Sequence, residues 1–254
     1  MIVGVTVNST KDQCLSYAKD IEAWLKARGY QLAWEDEAYK GDFLVVLGGD
    51  GTMLRASKMA AKYNIPMLGI NLGNLGYLTD SDRNEGLNAI AKVLAGDYRQ
   101  EQRMMLKTRE ELALNEVFLR GEASKLASYK IDVGNGHMDT LRADGILVAT
   151  PTGSTAYNLS AGGPILKPDS EMMVITPVCP HTLYARPWVV SGNDEVSITP
   201  MDEDAAVVLD GEVKFHLKKG ESLTISRAEC RATIIKTTNI DFFEVLRKKM
   251  GNAR

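Results

Sequence analysis

An unbroken apolar run, Phe43-Leu44-Val45-Val46-Leu47, stops at Gly48-Gly49-Asp50-Gly51-Thr52, and a helix-forming stretch over residues 53–62 follows at once. A run without polar alternation suits a strand buried on both faces, the kind found in parallel sheets covered by helices. Three glycines and one carboxylate therefore stand at the carboxyl end of a central strand, where open α/β sheets bind ligands. Glycines let backbone N–H groups approach phosphate oxygens, and a helix N-terminus favours their charge. Asp50 would repel a phosphate, so it reads as a metal ligand, as a proton acceptor for an attacking hydroxyl, or as a turn cap.

The segments around this motif alternate between strand and helix. Residues 2–8 predict a strand, and residues 11–28 a helix with Leu15, Ala18, Ile21 and Leu25 on one stripe, closed by Gly29. Strands follow at 31–35, 42–47 and 66–71, with a helix from Thr52 and another at 82–94 stopped by Gly96. This is a βαβ pattern, expected to give an α/β domain with a parallel sheet over residues 1–97. From Tyr98 the texture changes to short β-rich segments: 113–119, 128–133, 138–141, 146–150, 172–176, 196–199, 205–209, 223–226 and 232–237. Gly134-Asn135-Gly136 and Asp210-Gly211-Glu212 read as hairpin turns. The expectation is a second, β-rich domain over 98–239, with a C-terminal helix in 240–254 that packs back on the first.

Three further segments carry candidate site residues. Asn71-Leu72-Gly73-Asn74-Leu75-Gly76-Tyr77 follows a predicted strand and reads as a strand-end loop beside the first. Asp144-Gly145, a strand, and then Pro151-Thr152-Gly153-Ser154-Thr155-Ala156-Tyr157-Asn158-Leu159-Ser160 form the densest cluster of small polar residues. Hydroxyls at 152, 154, 155 and 160 with the Tyr157 ring suit a base and its sugar, although a capped helix start at 153–160 is the plainer reading. Asn115-Glu116 interrupts an apolar strand. Taken alone, Glu116 reads more readily as an edge-strand carboxylate facing water than as a buried ligand group.

Bulk properties narrow the classes further. The chain has 254 residues and a formal net charge of −3, so it exerts no long-range attraction on nucleic acid or anionic membranes. Cys14, Cys179 and Cys230 are odd in number and far apart, which argues against a disulfide framework; all three are expected to be buried small hydrophobes in a cytoplasmic protein. The start lacks the basic region of a signal peptide. The uncharged span 145–166 is rich in prolines, glycines and hydroxyls, unlike a membrane helix. No Gly-Lys-Ser/Thr loop, Gly-x-Ser-x-Gly elbow, His-Glu-x-x-His or protein-kinase catalytic loop is present. Of the three histidines, His137 and His216 are expected on surface or strand, and His181 is a weak ligand candidate.

In this order, the segments 48–52, 71–77, 115–116, 144–145 with 151–160, and Thr176-Pro177-Val178-Cys179-Pro180-His181 resemble the NAD kinase family in its compact prokaryotic form. The Thr-Gly-Ser-Thr-Ala-Tyr run is its most particular element; Gly-Gly-Asp-Gly-Thr is shared with lipid kinases and, more loosely, phosphofructokinases. The resemblance implies an α/β domain of phosphofructokinase and diacylglycerol-kinase type and transfer of a phosphoryl group from ATP or polyphosphate, with Mg²⁺ or another divalent ion, to the 2′-hydroxyl of the adenosine ribose of NAD. By that resemblance Asp50 is the general base, and Gly48, Gly49, Gly51, Thr52 and Arg55 meet the phosphoryl donor. Asp50, Gly51, Tyr77, Asn115, Glu116, Asp144, Thr152, Thr155, Ala156, Tyr157 and Ser160 meet NAD, with Mg²⁺ held mainly by the donor's phosphates. It further implies a homotetramer or homodimer in which Asp144 approaches a neighbouring subunit's site. A lipid-kinase-like phosphotransferase and a non-catalytic dinucleotide sensor are the alternatives. Leu78 and Tyr184-Ala185-Arg186-Pro187 depart from the usual pattern.

Overall fold

The computed structural model describes residues 1–8, 12–73, 76–122 and 126–251. Asn74 and Leu75 of the second strand-end loop therefore lie outside the described residues. The chain forms two compact units, Met1–Arg103 with Cys230–Arg254, and Met104–Glu229.

The first unit opens with strand β1 (Ile2–Val7), helix α1 (Asp12–Lys26), strand β2 (Gln31–Trp34) and a 3₁₀ turn, Glu35–Lys40. Strand β3 (Phe43–Leu47), helix α2 (Asp50–Tyr63), strand β4 (Met67–Asn71), the two-residue β5 (Ser81–Asp82) and helix α3 (Gly86–Leu94) follow. β3 is buried along its whole length, as its unbroken apolar run requires. β1, β2, β3 and β4 pair in parallel, with β3 between β1 and β4. α1 buries Cys14, Tyr17, Ala18, Ile21 and Leu25 against this sheet. Leu15 is exposed, so the apolar stripe is rotated from the expected one towards Cys14 and Tyr17. α3 begins four residues later than expected because Asp82 Oδ1 accepts the N–H groups of Asn84 and Glu85 and holds them in a turn. The 3₁₀ turn carries no sequence signal, but it is pressed on the sheet: a Cβ on Gly4 would stand 2.0 Å from the Ala38 carbonyl oxygen.

Strand β6 (Arg99–Thr108) leads into the second unit, where β7 (Glu111–Ala113), β8 (Glu116–Gly121), β9 (Ala127–Val133), β10 (Gly136–Ala143) and β11 (Gly145–Ala149) follow. A 3₁₀ turn (Gly153–Thr155), the four-residue helix α4 (Tyr157–Ser160), β12 (Met172–Val178), β13 (Trp188–Ser191), β14 (Val196–Pro200), β15 (Ala205–Leu209) and β16 (Glu212–Leu217) complete it. The long strand β17 (Leu223–Lys236) returns to the first unit, which ends in helix α5 (Phe242–Gly251) with no buried residue. Six antiparallel strands run in the order β13-β12-β11-β8-β15-β16, and one face packs a large apolar cluster that includes Val117, Leu119, Ile146 and Ile175. β5, β6, β13 and β16 lie outside the expected strands: β6 opens on a charged and polar stretch, residues 99–103, and β13 and β16 are short strands at the two ends of the six-stranded sheet, each paired to one neighbour. The expected strand at 113–119 is cut at Leu114-Asn115.

Candidate active site

Gly48 and Gly49 alone form the loop after β3; α2 starts at Asp50, two residues earlier than expected, with Gly49 as its N-cap. Asp50 thus sits in the first turn of a helix, where a carboxylate is favoured by the dipole. Its oxygens turn away from their own helix. Oδ2 accepts the Tyr77 N–H at 3.0 Å and Oδ1 the Leu78 N–H at 3.0 Å. The approach depends on glycine, since a Cβ on Gly76 would lie 2.0 Å from Asp50 Oδ1. Burial, then the charge of Asp50, pushes the Tyr77 phenol up from its ordinary value. A Cβ on Gly48 would strike the Thr52 side chain, whereas no described residue lies within 4 Å of one on Gly51. The backbone at Gly51 is therefore open to a ligand, with Arg55 exposed on the next turn of α2.

In the second unit the structure brings Glu116, Asp144 and Tyr157 to one cavity of about 370 Å³, joined by Phe118, Arg120 and Cys179. Strand alternation explains the lining. Glu116, Phe118 and Arg120 of β8 point into the cavity, while Val117 and Leu119 point into the core. The Tyr157 ring stands edge-on to Phe118, with centroids 5.3 Å apart and planes at 86°. Glu116 is 6% exposed, on a strand that lies between β11 and β15. This corrects the reading of an edge-strand carboxylate facing water. Among the described residues its Oε2 has no hydrogen-bond partner, and an unpaired buried polar group costs about 1–3 kcal/mol. Burial first, and the charge of Asp210 second, push its pKa up to about 8.

The hydroxyl cluster divides in two. Ser154 Oγ bonds the Pro151 carbonyl and accepts the Leu166 N–H, so it is spent inside the turn. Thr155 Oγ1 donates to the Thr152 carbonyl at 3.2 Å, while Ser160 is exposed at the end of α4 and Ala156 is half-buried at its start. Thr152 Oγ1 is buried and has no partner among the described residues. The turn is seated on Asn115: a Cβ on Gly153 would stand 2.0 Å from the Asn115 carbonyl oxygen. Asn115, Thr152, Thr155, Ala156 and Ser160 do not line the cavity, although Gly153 abuts Asn115. Asn158, which sequence reasoning passed over, is fully buried. Its Nδ2 bonds the carbonyls of Ser154 and Pro164, and its Oδ1 accepts the Thr176 hydroxyl. Only its place inside the Tyr157–Ser160 run pointed to it.

The other candidates lie elsewhere. His137 pairs with Asp132 and His216 with Glu122, both exposed, and His181 is exposed. Of the cysteines only Cys14 is buried; Cys179 is exposed and Cys230 half-buried, because both stand where neighbouring segments leave them uncovered. Among the described residues no three His, Cys, Asp or Glu side chains gather as a metal-ligand cluster, and no helix is long and apolar enough to cross a membrane.

The chain matches the family model of the ATP-NAD kinase N-terminal domain over residues 36–98 and that of the C-terminal domain over residues 114–237. It is 39% identical to an NAD kinase of Caldanaerobacter subterraneus subsp. tengcongensis, over 98% of each chain, and 36% identical to one of Geotalea daltonii, over 94% of each. Its structure is similar to that of an NAD kinase from Archaeoglobus fulgidus solved in complex with ATP, with a TM-score of 0.83, 28% identity and 99% of each chain covered. A yeast NADH kinase complexed with NADH has the same fold, with a TM-score of 0.88 at 22% identity, over 99% of this chain and 87% of that one. With both family models matched and relatives above one-third identity along nearly its whole length, the chain belongs to the NAD kinase family.

Proposed function

We propose that this protein transfers the γ-phosphoryl group of ATP, or the terminal group of polyphosphate, to the 2′-hydroxyl of the adenosine ribose of NAD, producing NADP. Beyond family membership, the observation that carries this reading is the orphaned Glu116 Oε2 in a cavity faced by Tyr157 and Asp144. A buried carboxyl without a partner suits ribose hydroxyls, and an aromatic ring suits a flat base. Glu116, Arg120 and Asp144 also make the cavity unsuitable for an acyl chain, which disfavours the lipid-kinase alternative.

The roles follow from the chemistry of a loose phosphoryl-transfer transition state, in which positioning and charge neutralisation dominate. Gly48, Gly49, Gly51 and Thr52 at the start of α2, with Arg55 one turn on, meet the donor's phosphates. Mg²⁺ or another divalent ion, held mainly by the donor's phosphates, would neutralise charge on the transferring group. Asp50 takes the proton of the 2′-hydroxyl as its oxygen bonds to the γ-phosphorus and the bond to the leaving ADP oxygen breaks. Tyr77 stands beside it. Asn115, Thr152 and Thr155 meet the adenosine side of NAD, Glu116 meets the nicotinamide ribose, and Ala156 and Ser160 are further NAD contacts. Incubation with NAD and MgATP or polyphosphate, scored with an NADP-specific dehydrogenase, is expected to show NADP. Tight NAD binding without product would instead favour the sensor.

We further propose a cytoplasmic homotetramer or homodimer in which Asp144 contributes to a neighbouring subunit's site. Leu183 and Tyr184, 98% and 68% exposed, supply apolar surface suited to a protein contact.

A further inference from the structure

Leu114 and Asn115 lie where the expected single strand breaks into β7 and β8, Glu116 opens β8, and all six backbone polar groups of these three residues are paired. The Asp210 carboxylate accepts three consecutive N–H groups: Leu114 at 3.1 Å to Oδ2, and Asn115 at 2.8 Å and Glu116 at 3.2 Å to Oδ1. The Asp210 N–H in turn donates to the Glu116 carbonyl at 3.1 Å. Thr150 closes the set, its hydroxyl donating to the Leu114 carbonyl at 2.6 Å and its N–H to the Asn115 carbonyl at 2.8 Å. Four of the six bonds thus belong to one residue. Hydrogen bonds to a charged acceptor are stronger than neutral ones, so the segment is held firmly.

Asp210 is itself fixed by its turn. It stands at φ 50° and Gly211 at φ 85°, the paired left-handed conformations of a tight hairpin between β15 and β16. An aspartate is not required there for the turn alone, since asparagine and glycine adopt the same angles. What only a carboxylate provides is two acceptor oxygens aimed at three amides. The gripped segment carries Asn115 and Glu116, and Gly211 beside Asp210 lines the same cavity as Glu116.

We propose that Asp210 is a positioning residue of the dinucleotide site, holding the backbone of residues 114–116 so that the Glu116 carboxyl stands in the cavity and Asn115 stays under the Gly153 turn. The inference rests on the reading of that cavity as part of the NAD site. It acts through the gripped backbone; Asp210 need not touch the substrate.

The test compares Asp210→Asn, which keeps one acceptor oxygen, with Asp210→Gly, which keeps the backbone angles and removes both. Asp210→Gly is expected to lower kcat/KM for NAD about 100-fold, the scale of a one-ångström misplacement, while KM for ATP stays unchanged. Asp210→Asn should fall between this variant and the wild type. Wild-type NAD constants in both variants would overturn the proposal, as would NAD and ATP constants worsening together, the mark of a merely structural role. Amide hydrogen exchange at Leu114, Asn115 and Glu116, measured without substrate, keeps the grip testable by itself. Faster exchange in Asp210→Gly supports it, and unchanged protection overturns it. If wild type forms no NADP, the functional reading fails while the exchange result still decides whether Asp210 holds the segment.

Discussion

Asp50 and Glu116 are two carboxyl groups in opposite circumstances. Asp50 is half-buried and oriented by the N–H groups of Tyr77 and Leu78. Asp50→Asn is expected to keep the fold and NAD binding but lose at least about 100-fold in turnover, the low end for a general base. Near-normal turnover would remove Asp50 from the chemistry. Glu116 is buried, with Asp210, Arg120, Asp144 and Tyr157 around it, and its pKa is pushed up from 4.5 to about 8. Between those values the folded state holds a proton that the unfolded state releases, so this group's contribution to stability falls as pH rises and is lost above about 8. Glu116→Gln removes that dependence. Its melting temperature relative to wild type should therefore be higher at about pH 9 than at about pH 5. A difference between the two proteins that is constant with pH would show that Glu116 is not neutral in the fold.

At the scale of elements, the second-unit site is a stack of short pieces with little give. The Gly153–Thr155 turn rests on Asn115, and the Thr150 hydroxyl both donates to the Leu114 carbonyl and accepts the Gly153 N–H at 3.0 Å. Because the obstacle to a Cβ at Gly153 is backbone, no rotamer change relieves it. Gly153→Ala should cost about 1–3 kcal/mol of stability, as overpacking does, and raise KM for NAD by shifting Asn115 and Thr152. An unchanged unfolding midpoint in urea would mean that the turn backs away freely. Much of this was legible beforehand as composition: the run from Thr152 to Ser160 was singled out for its hydroxyls. Which of them remain for a ligand was not legible. Ser154 is consumed by Pro151 and Leu166, and a partner twelve residues away leaves no mark on local sequence.

For the whole molecule, the proposed assembly makes a prediction that no single chain can satisfy. If Asp144 completes a neighbour's site, inactive Asp50→Asn and Asp144→Ala chains should regain activity when mixed and reassembled, through sites that hold an intact copy of each carboxylate. Light scattering that shows a fully active monomer at assay concentration would refute the shared site. Failure to complement in a proven oligomer would mean that Asp144 serves the cavity it lines in its own chain, beside Glu116 and Tyr157.

Local patterns were enough to determine the parallel α/β character of the first unit, the β-rich second unit and the start of α2 within two residues. These follow from hydrophobic period and glycine placement, which act over a few residues. The tertiary structure alone decided the break at Leu114-Asn115 and the burial of Glu116. Asp210 lies 94 residues beyond Glu116 in the chain, and its sequence signature is that of an ordinary hairpin turn. Its carboxylate supplies bonds that a partner strand would otherwise provide, so Leu114 and Asn115 leave the sheet pattern before β8 opens at Glu116. Strand order likewise places Glu116 between β11 and β15 rather than at an edge. Burial depends on which strands lie alongside, and that is a property of long-range pairing that no local window contains.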